Sequence, residues 1–143
     1  MTLEGLSSLP LELRQIAHQF TRAADEHLAP AGISLSRFVV LAAIKASPGI
    51  HGRPLAAQTM QTPQSLGSIT TLLESEGLLE RGTQGRKVTY TLTDRGRDSL
   101  SRGIHALAQL QASLLGALTP SQLTGLQDGL AALRGRLAEI GQE

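Results

Sequence analysis

Between residues 33 and 102 the hydrophobic period of this chain changes from helical to alternating, with a stop or start signal at each joint. Phe38, Leu41 and Ile44 form a three-residue stripe, Ser34 is placed to cap that helix, and Ile33 can staple against Phe38. Ser47-Pro48-Gly49 ends it. A short helix over residues 53–60 is expected next, turning Leu55 and Met60 inward. Thr62-Pro63 then opens a further helix with a side-chain cap and a proline at the first helical position. Its buried side is read as Leu66, Ile69, Leu72 and Leu73, and Gly77 stops it. Residues 82–85 read as a hairpin turn, after which Val88, Tyr90 and Leu92 alternate with Lys87, Thr89 and Thr91 as a half-buried strand does.

Helical patterns flank this core segment. Leu9, Leu13, Ile16, Phe20 and Leu28 share one face of a helix over residues 9–28. Thr93 can cap a long helix carrying Leu100, Ile104, Leu107, Leu110 and Leu114. Thr119-Pro120 with Gln122 is a capping box, and behind it Leu123, Leu126, Leu130, Leu133, Leu137 and Ile140 recur at alternating steps of three and four. Aromatics are 2% of the 143 residues, so the core is built from aliphatic side chains. The expectation is a mainly α fold of one domain with a small β-hairpin wing, a winged helix-turn-helix between long terminal helices.

Such a fold suits the reading of DNA, because it sets a braced helix beside a basic hairpin. On the exposed face of the Thr62-Pro63 helix stand Gln64, Ser65, Gly67, Ser68 and Thr71, with no acidic residue before Glu74. Gln64 can pair with an adenine edge, the serines can bond to bases or phosphates, and Gly67 permits close approach. The net charge is only +1, yet between Arg81 and Arg102 six basic residues stand against two acidic ones. The wing candidates are Arg81, Thr83, Gln84, Gly85, Arg86 and Lys87; Arg53 and Arg95 are candidate phosphate clamps.

Other chemistries are absent from the pattern. With no cysteine there is no disulfide, thiolate catalysis or thiolate zinc site. His18, His27, His51 and His105 have no metal-ligand spacing and read as surface or packing residues; no metal or cofactor is expected. No phosphate-cradling loop or nucleophile elbow occurs, so no enzyme is expected. No apolar run is long enough for a membrane span or signal peptide, which makes a cytoplasmic location the expectation.

The residues resemble the multiple-antibiotic-resistance regulator (MarR) family of bacterial transcription factors over nearly the whole chain. The likeness is carried by Ile33-Ser-Leu-Ser-Arg-Phe-Val-Val-Leu41, Leu55-Ala-Ala57, Leu73-Glu-Ser-Glu-Gly-Leu-Leu-Glu-Arg81 and Leu92-Thr-Asp-Arg-Gly-Arg97. It implies a homodimer held by residues 1–32 and 99–143, with residues 33–98 on a pseudo-palindromic operator and usually repressing. The dimer contacts would then be Leu9, Leu13, Ile16, Leu123, Leu126, Leu130, Leu133 and Leu137. It also implies release by a small, often aromatic or phenolic, ligand between the dimer helices and the reading head. Two features depart from the family: Gly67-Ser68 stands where Thr-Arg is common, and the wing tip is short. A second reading, a winged-helix module that binds protein and not DNA, is separated from the first by salt-dependent DNA affinity.

Overall fold

A computed structural model describes residues 3–142, with side chains from residue 8 onward. Its helices are α1 (Leu3–Leu28), α2 (Leu35–Ala46), α3 (Gly52–Gln58), α4 (Pro63–Ser75), α5 (Asp94–Gly116) and α6 (Pro120–Ile140). Three strands, β1 (Ile50–His51), β2 (Leu79–Gln84) and β3 (Lys87–Leu92), form an antiparallel sheet in the order β1-β3-β2. By backbone packing the chain divides into two compact units, Met1–Leu107 and Ala108–Glu143.

The caps fall where the sequence puts them. Ser34 Oγ accepts from Arg37 N, Thr62 Oγ1 from Ser65 N and Thr93 Oγ1 from Gly96 N. At α6 Thr119 and Gln122 complete a reciprocal capping box. Each cap supplies an acceptor to an otherwise orphaned helical N–H, a contribution of about 1 kcal/mol. The end of α4 closes with Gly77 at φ +75°, Leu78 N bonding to Leu73 O and Gly77 N to Glu74 O. That Schellman pair redirects the chain straight into β2.

In the first unit Leu28, Val40, Leu41, Ile44, Leu55, Leu66, Leu73, Leu79, Tyr90 and Leu100 belong to one buried cluster. It joins α1, α2, α3, α4, the sheet and α5, so the helix pair and the wing share a single foundation. In the second unit α6 has no buried residue: Leu126, Leu130, Leu133, Leu137 and Ile140 are all exposed.

Five expectations need correction. The first helix begins at Leu3, not at residue 9, and runs through Pro10, which forfeits only one helical hydrogen bond. Met60 does not point inward: α3 ends at Gln58, and Met60 lies beyond it in the left-handed region (φ +56°), 93% exposed. Leu72 is 45% exposed, and Thr70 is buried in its place, its Oγ1 bonding to Gly67 O. The buried row of α4 is thus Leu66, Thr70 and Leu73, spaced by four and three on one helical face. The hairpin turn is Gly85-Arg86 alone, because residues 82–84 continue β2 in register with residues 87–89. Finally, β1 adds a third strand to a wing expected to have two.

Candidate nucleic-acid interface

Thr62 and Pro63 fix the start of α4, and the burial of Leu66, Thr70 and Leu73 fixes its rotation. Gln64, Ser65, Gly67, Ser68 and Thr71 are consequently all exposed. Gln64, Gly67, Ser68 and Thr71 line one side of an open groove of about 750 Å³, together with Leu72 and Ser75; Arg81 and Tyr90 of the sheet line the other. A side chain on Gly67 would meet nothing within 4 Å, so the helix backbone is bare to an approaching surface there. Ser68 Oγ bonds back to Gln64 O at 3.2 Å, leaving its oxygen free to accept.

The wing is a tight hairpin. Gly85 has φ +63° and is the first of the two turn residues, the position that a type II′ turn reserves for glycine. Thr83 pairs with Val88 and Gln84 with Lys87, which puts Gln84, Gly85, Arg86 and Lys87 together at the tip. Arg86 and Lys87 are exposed and make no ion pair among the described residues.

Arg81 sits differently. It pairs across the ladder with Tyr90, its guanidinium carbon lies 5.7 Å from the ring centroid, and its Nε stands 3.3 Å from Glu74 Oε2. An exposed ion pair of this kind contributes about 0–1 kcal/mol, too little to withhold Arg81 from a phosphate. Arg53, at the start of α3, lines a cavity of about 440 Å³ with Gly52, Ala56, Pro63, Leu66, Gly67 and Tyr90, so it flanks the first turn of α4. Arg95 lies at the opposite end of that helix: its Nη1 is 3.3 Å from where a side chain on Gly77 would begin. There a cation complements the negative end of the helix dipole. His51, read as a packing residue, is on β1 beside the wing; only the pairing of β1 with β3 puts it there.

Of the expected dimer contacts, Leu9, Leu13 and Ile16 on α1 are exposed, as are Leu126, Leu130, Leu133 and Leu137 on α6, while Leu123 is half-buried. Among the described residues no three His, Asp or Glu side chains gather as metal ligands, and no single helix is long and apolar enough to cross a membrane.

No family model matches the chain. Among curated proteins it is similar to the HTH-type transcriptional repressor Rv2887 of Mycobacterium tuberculosis strain H37Rv, 34% identical over 98 residues that cover 66% of this chain and 70% of the relative. A repressor of Mycobacterium bovis, Mb2911, matches to the same extent. Among solved structures, the MarR family regulator SP03579 superposes with a TM-score of 0.86 at 21% identity, over 98% of this chain and 95% of that one. The M. tuberculosis MarR family protein Rv2887 in complex with DNA has a TM-score of 0.73 at 28% identity, over 87% of this chain and 96% of that one. The same protein with salicylic acid gives 0.70 at 29% identity, over 87% and 95%.

Proposed function

The chain belongs to the MarR family of transcriptional regulators, and on that premise we propose that it is a repressor that binds a pseudo-palindromic operator as a homodimer. The observation that carries this reading is the groove in which Gln64, Gly67, Ser68 and Thr71 face Arg81, with Arg86 and Lys87 at the tip of the adjoining hairpin. In it α4 enters the major groove and the wing reaches backbone or minor groove. Rv2887, which shares the fold and a third of the aligned residues, has been solved bound to DNA.

Residues 33–98 are the reading head in this proposal, and residues 1–32 and 99–143 hold the two copies together. The exposed leucines of α1 and α6 support that role, since water-facing leucines in a row on a long helix are costly unless a second apolar surface covers them. The effector is a small aromatic or phenolic acid; the salicylic acid complex of Rv2887 supports that class. It would act by favouring a dimer geometry whose recognition helices no longer match one turn of DNA, roughly 34 Å.

Fluorescence anisotropy on DNA from upstream of the protein's own gene, beside scrambled DNA and across a salt series, tests the reading. A clear margin for the upstream duplex, with log affinity falling linearly in log salt, is the expected result. No binding at low salt would sink it in favour of a protein-interaction module.

A further inference from the structure

The junction of β1 and α3 meets the distant start of β3 at the root of the wing. His51 is the last residue of β1, Arg53 is the second residue of α3, and Lys87 begins β3. Antiparallel pairing sets His51 opposite Thr89, two residues along the strand from Lys87, so His51 and Lys87 belong to the same face of the sheet. All three residues line one cavity of about 530 Å³, with Gly52, Pro54, Val88 and Tyr90 as the remaining walls.

The lining contains no carboxylate. Arg53 and Lys87 have no ion pair or hydrogen bond among the described residues, whereas Arg37, Arg81, Arg97 and Arg136 each have an acidic partner. The half-buried His51 has its Nδ1 enclosed without a hydrogen-bond partner, which leaves Nε2 as the ring nitrogen able to donate outward. Two unpaired cations beside one hollow repel each other until an anion joins them, and the imidazole adds a hydrogen-bond donor. The cavity adjoins the one that Arg53 shares with Pro63 and Gly67 of α4, so the anion would sit beside the recognition helix.

We propose that His51, Arg53 and Lys87 form a single seat for one backbone phosphate of the DNA in each half-site. The inference rests on the DNA-binding reading above and adds to it a residue, His51, and a stoichiometry of three side chains to one phosphate. A phosphate held there ties the start of α3 and the base of the wing to the same point on the duplex. It thereby sets the depth at which α4 lies in the groove.

Replacing single phosphates of the upstream duplex by neutral methylphosphonates, one position at a time, tests the seat by anisotropy. Wild-type protein is compared with the double variant R53Q/K87Q, and with H51A and H51Q. One position per half-site should weaken the wild type about tenfold or more, the worth of a charged hydrogen-bonded contact. At that same position R53Q/K87Q, already weakened on native DNA, should lose nothing further. H51Q, whose amide nitrogen can replace Nε2 as donor, should bind as the wild type, and H51A should not. Equal losses for wild type and double variant at every position would overturn the seat while leaving DNA binding intact, as would wild-type affinity in a folded H51A. Failure of the wild type to bind native DNA in a salt-dependent way would overturn the DNA reading, and the seat with it.

Discussion

Arg37 Nη2 of α2 stands 2.6 Å from Glu76 Oε2, the cap residue at the C-terminal end of the recognition helix. The same guanidinium donates from Nη1 to Gly32 O, and the residue before α2's first turn is itself a cap, Ser34. Asp25 of α1 accepts from Leu35 N at 2.7 Å. A line of polar contacts therefore runs from α1 through the start of α2 to the end of α4. The Arg37 side chain is only 16% exposed and its Nε and Nη2 are buried without a hydrogen bond, so the charge of Glu76 is its main compensation. Glu76→Ala should lower stability by about 1–3 kcal/mol, the cost of leaving a part-buried charge unmatched. Arg37→Met with Glu76→Ala should cost less than the single acid-to-alanine change. Urea denaturation of the two variants checks both statements.

Gly96, in the first turn of α5, lies against the backbone of Leu78 with no room for a Cβ between them. Leu78 O also accepts from Thr93 N, and Thr93 Oγ1 donates to Gly77 O. A methyl group at residue 96 would force the start of α5 away from the end of α4. Gly96→Ala is expected to destabilise by at least about 2 kcal/mol, in the range of overpacking strain. A fall in thermal midpoint together with weaker DNA binding is the expected signature.

Met60 occupies left-handed backbone at the turn between α3 and α4 and gives almost nothing to the core. Left-handed backbone costs a residue with a Cβ about 1 kcal/mol more than glycine. Met60→Gly should therefore raise the thermal midpoint by a few degrees. A lower midpoint would mean that its thioether makes a contact worth more than the strain.

Within the reading head, substitutions should divide into two kinds. Arg86→Ala with Lys87→Ala should weaken binding to every sequence and flatten the salt dependence by about one unit of slope per lost contact. Gln64→Ala or Ser68→Ala should change which base pairs are preferred, by about 1–3 kcal/mol at the positions read, and leave the salt slope nearly as it was. Anisotropy on a panel of single-base operator variants at two salt concentrations separates the two.

Leu130 lies within the exposed row on α6. Leu130→Asp should halve the mass seen in sedimentation and reduce operator affinity by several orders of magnitude, since one half-site alone would then have to suffice. An unchanged mass would place the subunit contact elsewhere.

What was legible in the sequence was local. Ser34, Thr62, Thr93 and Thr119 each announce a helix start through chemistry that acts within three residues, and each cap is found. The groove residues Gln64, Gly67, Ser68 and Thr71 follow from that start plus the helical period. What was not legible depends on partners distant in sequence. Two residues at 50–51 show no alternation, and they become a strand only because β3 offers a free edge. Leu72 and Thr70 exchange roles because a threonine whose hydroxyl bonds within its own helix can be buried, which composition alone does not reveal. His51 and Arg53 are neighbours in sequence, but their place beside Lys87 comes through strand pairing, not spacing.

The hairpin is closed by only two residues and is held at its root, by β1 on one side and by the stack of Arg81 on Tyr90 on the other. Where a long wing could bend far to follow its target, a short hairpin with a held root acts more like a caliper. In the proposed complex the sheet sets the interval between Arg86 and the face of α4, so a duplex whose backbone geometry departs from it would gain one contact by forfeiting the other. Discrimination would then extend to base pairs that no side chain touches, because their stacking decides how wide the DNA stands.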